Sequence, residues 1–215
     1  MNAAQVIDQA VASEQETLDD FYTTAELNQW LNDGLLEFID ESGIYKAVFS
    51  VTMVADTADY AYPSGLIRPE EPFYDTVMDE MDYVDVAILS RLFPGWRGED
   101  GGDPAYFYEV LPGYVSVYPK PNSANAGKIL SILGVSEHAA VAYASATAIS
   151  IPKRYHTALV EYLLYRMITK DDRAKDAAVH YANFLRTAVK ARTDARQANR
   201  KGKRYSSFPS NIKKT

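Results

Sequence analysis

The sequence predicts an α+β fold: a four-helix body made by N- and C-terminal helix pairs, an inserted antiparallel β-rich subdomain, and an extended C-terminal arm. Three observations predict it. Apolar residues recur at helical spacing through residues 3–14 and 23–42. From Ile44 the period changes to alternation, and after Pro152 helical spacing resumes for nearly fifty residues. Helices flanking a run of strands in one chain of this length give one helical body carrying an insertion. The boundaries read from these changes are 1–43 for the N-terminal helices, 44–150 for the β-rich insertion, 151–200 for the C-terminal helices and 201–215 for the arm.

In the first helix Ala3, Val6, Ile7, Ala10 and Val11 share one face. The second starts at Thr23, with Glu26 three residues on. In that capping-box spacing each side chain satisfies a free backbone N–H of the first turn. Leu27, Trp30, Leu31, Leu35, Phe38 and Ile39 form its apolar face, and Gly34 falls on the same face, where it admits a close neighbour. Ser42-Gly43 ends the helix, because glycine tolerates the left-handed turn.

Strands are expected from Ile44 to Met53, as a return strand from Tyr60, and over Tyr106–Val110, Tyr114–Tyr118 and Lys128–Val135. Leu66 to Val77 carries Pro69 and Pro72 and reads as extended or edge-like. Asp79 to Leu92 reads as strand then short helix, and Arg97 to Pro104, with three glycines and a proline, as loop. Ala-rich Val141–Ser150 is compatible with either helix or strand. Ile151-Pro152 opens the next helix, with the face Tyr155, Leu159, Tyr162, Leu163, Arg166 and Met167. Asp171 or Asp172 is placed to cap the last helix, which continues to about Asn199 as a rod of about 40 Å. After Gly202 the chain reads as non-helical.

Charge is split along the chain. Ten of the 22 Lys/Arg and one of the 29 Asp/Glu lie in residues 186–215, so that segment carries +9 and the rest −16. An interaction arm on an acidic body is the usual meaning of such asymmetry. The 215 residues contain no cysteine, which removes disulfides, thiol catalysis and cysteine-based zinc sites. No apolar run approaches the roughly 20 residues of a membrane span. The first residues lack the basic start and apolar core of a signal peptide, so the expectation is a cytosolic protein where it is made. Sixteen tyrosines suit either a packed sheet or contact surfaces.

No catalytic constellation, cofactor motif or metal-ligand set is found. His138, His156 and His180 have no triad spacing, although His156 and His180 sit on the two C-terminal helices. There is no H-E-x-x-H, G-x-S-x-G or phosphate-binding lysine loop. The acids Asp75, Asp79, Glu80, Asp82 and Asp85 lack calcium-loop spacing and read as a solvated face. The reading is a protein that is not an enzyme. In the basic segment, Arg200, Lys201, Lys203 and Arg204 are followed by Tyr205, Phe208, Pro209 and Ile212. Charge flanking aromatic anchors suits docking on an acidic partner protein. The alternative is a small helical nucleic-acid-binding protein using the same basic segment, through phosphates and base stacking.

Four stretches, in order, resemble the head-to-tail adaptor (connector) proteins of tailed bacteriophages. They are Glu26 to Gly34; Asp59-Tyr-Ala-Tyr-Pro63 followed by Leu66-Ile-Arg68; Trp96, Gly102 to Tyr108 and Val115 to Pro121; and Ile149 to Arg166. The resemblance implies a structural subunit, typically one of twelve in a ring beneath the portal protein of a DNA-filled capsid. It implies no cofactor and no catalysis. It places the protein in the virion neck, and in the host cytoplasm during assembly. Carried to this chain, residues Arg200 to Thr215 become the portal-gripping arm, and the β region faces the next tail or nozzle protein. DNA would pass through the ring without specific binding, because a net-acidic body repels phosphate.

Overall fold

The computed structural model describes residues 1–14, 21–74, 79–145 and 148–205, with backbone only at 71–74, 79–80 and 198–205. The chain divides into two compact units, one of Met1–Tyr45 with His138–Thr215 and one of Lys46–Glu137.

The first unit holds α1 (Ala3–Ser13), α2 (Thr24–Ser42), α4 (His156–Lys170) and α5 (Ala174–Tyr205), while the short α3 (Val86–Leu92) belongs to the other. N- and C-terminal helix pairs pack together, as the periodicity predicts. Thr23 and Glu26 form the reciprocal capping box, and Gly43 ends α2 at φ +60° with its N–H on the Ile39 carbonyl. A second capping box, Asn2 with Gln5, starts α1. Helix α4 touches the other three helices and buries nine of its 15 residues, so it forms the centre of the unit. At Gly34 the α2 backbone lies directly against the Tyr162 ring of α4: a β-carbon there would stand 2.5 Å from Tyr162 Cδ1. Around this contact Tyr162, Phe184, Tyr181 and Tyr165 form a continuous aromatic stack.

His138–Ser145, assigned to the insertion by periodicity, belongs to the helical unit. Its backbone is taken up by two asparagines one turn apart on α2. Asn32 exchanges two 2.8 Å hydrogen bonds with the Val141 backbone, and Asn28 accepts from Tyr143 N–H at 2.7 Å. The segment is neither helix nor strand because side-chain amides, not neighbouring backbone, satisfy it. Pro152 precedes a 3₁₀ turn, Lys153–Tyr155, which leads into α4. Asp171 closes α4 and accepts the Tyr22 hydroxyl, and Asp172 takes a positive φ of 58°.

The second unit contains two four-stranded sheets. One has the order β1-β8-β3-β4: β1 (Lys46–Thr52), β8 (Ile129–Ser136), β3 (Leu66–Tyr74) and β4 (Asp79–Glu80), all antiparallel. The other has the order β2-β7-β6-β5: β2 (Asp59–Ala61), β7 (Tyr114–Tyr118), β6 (Tyr106–Tyr108) and β5 (Asp82–Tyr83). It is antiparallel except for the β5–β6 pair. Met53, Tyr60, Phe107, Val117, Leu130 and Ile132 bring residues of both sheets into one core.

One pairing differs from the sequence reading. The return strand from Tyr60 does not pair with β1; β1 pairs with β8, about 80 residues later, and β2 joins the other sheet. The proline-bearing segment is extended and edge-like, as its prolines predict: among the described residues β4 pairs only with Phe73 and Tyr74, so at Pro69 and Pro72 β3 has β8 alone as its neighbour. Its register against β8 slips at Leu66/Arg68 and Pro69/Glu71, and a proline that cannot donate is tolerated where a ladder is irregular. Gly134 of β8 faces this irregular stretch, with its missing β-carbon 2.6 Å from the Arg68 carbonyl oxygen.

Candidate functional site

Helix α5 carries the basic segment, and its first half is fixed by packing. Ala177, Phe184, Ala188 and Ala191 are buried, and Phe184 lies against Phe38 of α2 and Tyr162 of α4. Small residues at this spacing let α5 lie close to its neighbours. Polar anchors follow toward the C-terminus. Tyr181 donates to Glu37 at 2.6 Å, Arg192 Nη2 reaches Glu41 at 2.7 Å, and Tyr155 donates to Asp194 at 2.6 Å. Among the residues whose side chains are described, no hydrogen bond or ion pair joins α5 to the rest of its unit beyond Asp194.

The helix does not stop there. Of the arm residues predicted from sequence, Arg200, Lys201, Lys203, Arg204 and Tyr205 are helical, as is Gly202. The expectation that the chain leaves the helix after Gly202 is therefore corrected. A glycine costs a helix only about 1 kcal/mol relative to alanine, and the Arg and Lys around it are good helix formers. From Asp194 to Tyr205 the helix rises about 16 Å at 1.5 Å per residue. Phe208, Pro209 and Ile212 lie outside the described residues. Basic residues at the C-terminal end also oppose the helix macrodipole favourably.

Among the described residues no three metal-binding side chains cluster. His156 is buried, with Nε2 2.8 Å from the Ile151 carbonyl and Nδ1 2.8 Å from the Met1 amine, and burial lowers its pKa. His180 pairs with Glu161 at 2.8 Å. The two histidines thus serve separate local networks. The larger pKa shifts fall mainly on tyrosines. Burial raises Tyr108, Tyr118 and Tyr162 to about 12, and the Glu37 hydrogen bond raises Tyr181 to about 12. Shifts in that direction keep a phenol protonated, opposite to what an acid–base catalyst at neutral pH requires. A surface cleft of about 240 Å³ in the β unit is lined by Trp96, Tyr108 and Tyr118 with Arg97, Lys120 and Asp59. In it the Tyr118 hydroxyl donates to Glu99. Asp85, one of the clustered acids, caps α3 by accepting from Ala87 N–H at 2.8 Å. No helix among the described residues is long and apolar enough to cross a membrane.

What the geometry provides is a folded acidic chain whose longest helix continues into a basic end. The comparison with known families bears on that arrangement. A family model described as SU10 adaptor protein matches residues 1–206, from before α1 to just past the end of α5. The chain belongs to the SU10 adaptor protein family. This is a phage adaptor family, structural rather than catalytic by name. The match embraces both units, so the helical body and the β insertion are together the SU10 adaptor module. No curated protein matches the chain.

Signals for the remaining features were faint in the sequence. Asn28 and Asn32 have the i, i+4 spacing of a helix face, yet nothing in the sequence says that they hold a segment more than 100 residues away. The Arg192–Glu41 and Asp194–Tyr155 anchors needed the packing of α5 against α2 and α4 to be known first.

Proposed function

We propose that this protein is the head-to-tail adaptor subunit of a bacteriophage neck. Copies of it form a ring, twelve in number by analogy with phage adaptors, that docks on the portal and joins it to a tail or nozzle protein around a channel for DNA. The observation that carries this reading is that membership of a phage adaptor family coincides with a helix α5 that continues through the basic residues Arg200 to Arg204. Arg200, Lys201, Lys203, Arg204, Tyr205, Phe208, Pro209 and Ile212 form the portal-binding arm. The acidic remainder, at −16, repels the phosphates of passing DNA, so the basic residues are committed to protein. The β unit is presented toward the tail.

The arm is tested by co-sedimentation of purified portal rings with the full chain and with a variant lacking residues 202–215. The full chain is expected to sediment with portals, and the truncated one to stay in the supernatant with an unchanged helical circular dichroism spectrum. Equal co-sedimentation of both removes the docking role. Retention of duplex DNA on filters, falling steeply between low and moderate salt, points instead to a nucleic-acid-binding protein.

A further inference from the structure

Two exposed helix stripes in the helical unit have matching spacing and opposite charge. On α2 the exposed face runs Gln29, Asp33, Leu36, Asp40, at steps of four, three and four. On α5 it runs Ala182, Arg186, Val189, Thr193, at the same steps, with exposed Lys190 and Arg196 beside it. Each stripe therefore has an exposed aliphatic residue at its centre, Leu36 at 45% and Val189 at 52% exposure, flanked by charge of one sign. Among the described residues Asp33, Arg186, Lys190 and Arg196 enter no ion pair, whereas the inner acid Glu41 is already matched to Arg192. A stripe of this composition is more than a solvated face, because an exposed leucine or valine between like charges gains by packing while the charges fix register.

Both stripes lie on the outside of the same unit, exposed within one chain. We propose that the α5 stripe of one subunit packs on the α2 stripe of the next, with Val189 against Leu36 and Arg186 and Lys190 facing Asp33. The contact is heterologous: each copy uses its α2 face on one side and its α5 face on the other. Repetition of such a contact closes a ring when the rotation between copies allows it. The inference rests on the ring reading of the function and names the faces that build the ring. It makes no use of α5 beyond Arg196.

The test uses charge reversal in full-length chains. One variant carries Asp33→Lys, a second carries Arg186→Glu and Lys190→Glu, and a third carries all three. Each is incubated with portal rings and imaged by negative stain, with native mass spectrometry of the assemblies. Wild type forms rings. Each half-reversed variant alone loses them, because like charge then faces like. An equimolar mixture of the two regains rings in which the variants alternate, since each acid stripe again meets a basic one. The fully reversed variant also forms rings alone but does not co-assemble with wild type. Circular dichroism and thermal melts matching wild type establish that the exposed substitutions leave the fold intact. Rings formed by both half-reversed variants alone, or no recovery on mixing, overturn the inference and leave the adaptor reading standing. Absence of rings from wild type overturns both.

Discussion

The sharpest local consequence of the helical packing concerns Gly34. In an exposed helix, replacing glycine by alanine stabilises by about 1 kcal/mol, because glycine loses more backbone freedom on folding. At Gly34 the sign reverses. The added methyl stands 2.5 Å from Tyr162 Cδ1 and 2.7 Å from Cγ, against an ordinary contact of 3.4–4 Å. The ring or the helix must therefore yield by about 1 Å. Tyr162 cannot swing away, since it is 4% exposed and wedged against Phe184, whose ring centroid is 5.0 Å off. Overpacking of this kind costs about 1–3 kcal/mol, and the propensity gain offsets part of it. Gly34→Ala is expected to destabilise by about 1 kcal/mol, lowering the urea midpoint followed at 222 nm by about half a molar at an m-value near 2 kcal/mol/M. Tyr162→Leu removes the ring, so the double variant should lose less than the sum of the two single losses. A midpoint that rises for Gly34→Ala, or strict additivity with Tyr162→Leu, refutes the close approach of α2 to α4.

Three further outcomes follow from the structure. Gly134→Ala places a methyl 2.6 Å from the Arg68 carbonyl oxygen, which is backbone and cannot rotate aside, so the β3–β8 ladder should loosen by about 3 kcal/mol, seen as loss of amide-exchange protection in β3 and β8 with helical protection kept. Glu26 is held down to about 2, first by its hydrogen bond from Lys170 and then by Thr23, against an ordinary 4.5. Its contribution is full above pH 4.5 and is lost as pH falls toward 2, so the midpoint difference between wild type and Glu26→Gln should shrink over that window; a constant difference contradicts it. Burial lowers the pKa of His156, so below about pH 6.5 the unfolded chain takes up a proton that the folded chain refuses, and stability falls with pH until the folded pKa is passed. An NMR titration should place the His156 imidazole midpoint below about 6.5, and one above that value rules out the neutral buried ring.

Features of the fold that depend on neighbouring residues were legible. The Thr23–Glu26 cap, the left-handed stop at Gly43 and the apolar faces of α2 and α4 each follow from spacings of three or four residues. Gly34 could be read as a point of close approach because it interrupts an otherwise apolar face. The strand partners were not legible. Strand β1 has the same alternation whether it meets Tyr60 or Ile129, and only the completed core chooses the second. The prolines of β3 did mark an open edge, since among the described residues β4 reaches only Phe73 and Tyr74. For the arm, composition identifies the residue types and the charge, while the helix formers around Gly202 outweigh the glycine and carry the helix on to Tyr205. The α2 and α5 stripes were invisible for a different reason: exposure of Leu36 and Val189 is a property of how four helices share their apolar faces.

The proposal that this chain joins rings is tested by electron microscopy of purified portals after incubation with the full-length protein. The expected image is a second ring of density, with an open centre, stacked coaxially on one end of every saturated portal. Portals that remain bare beside folded, soluble protein contradict it.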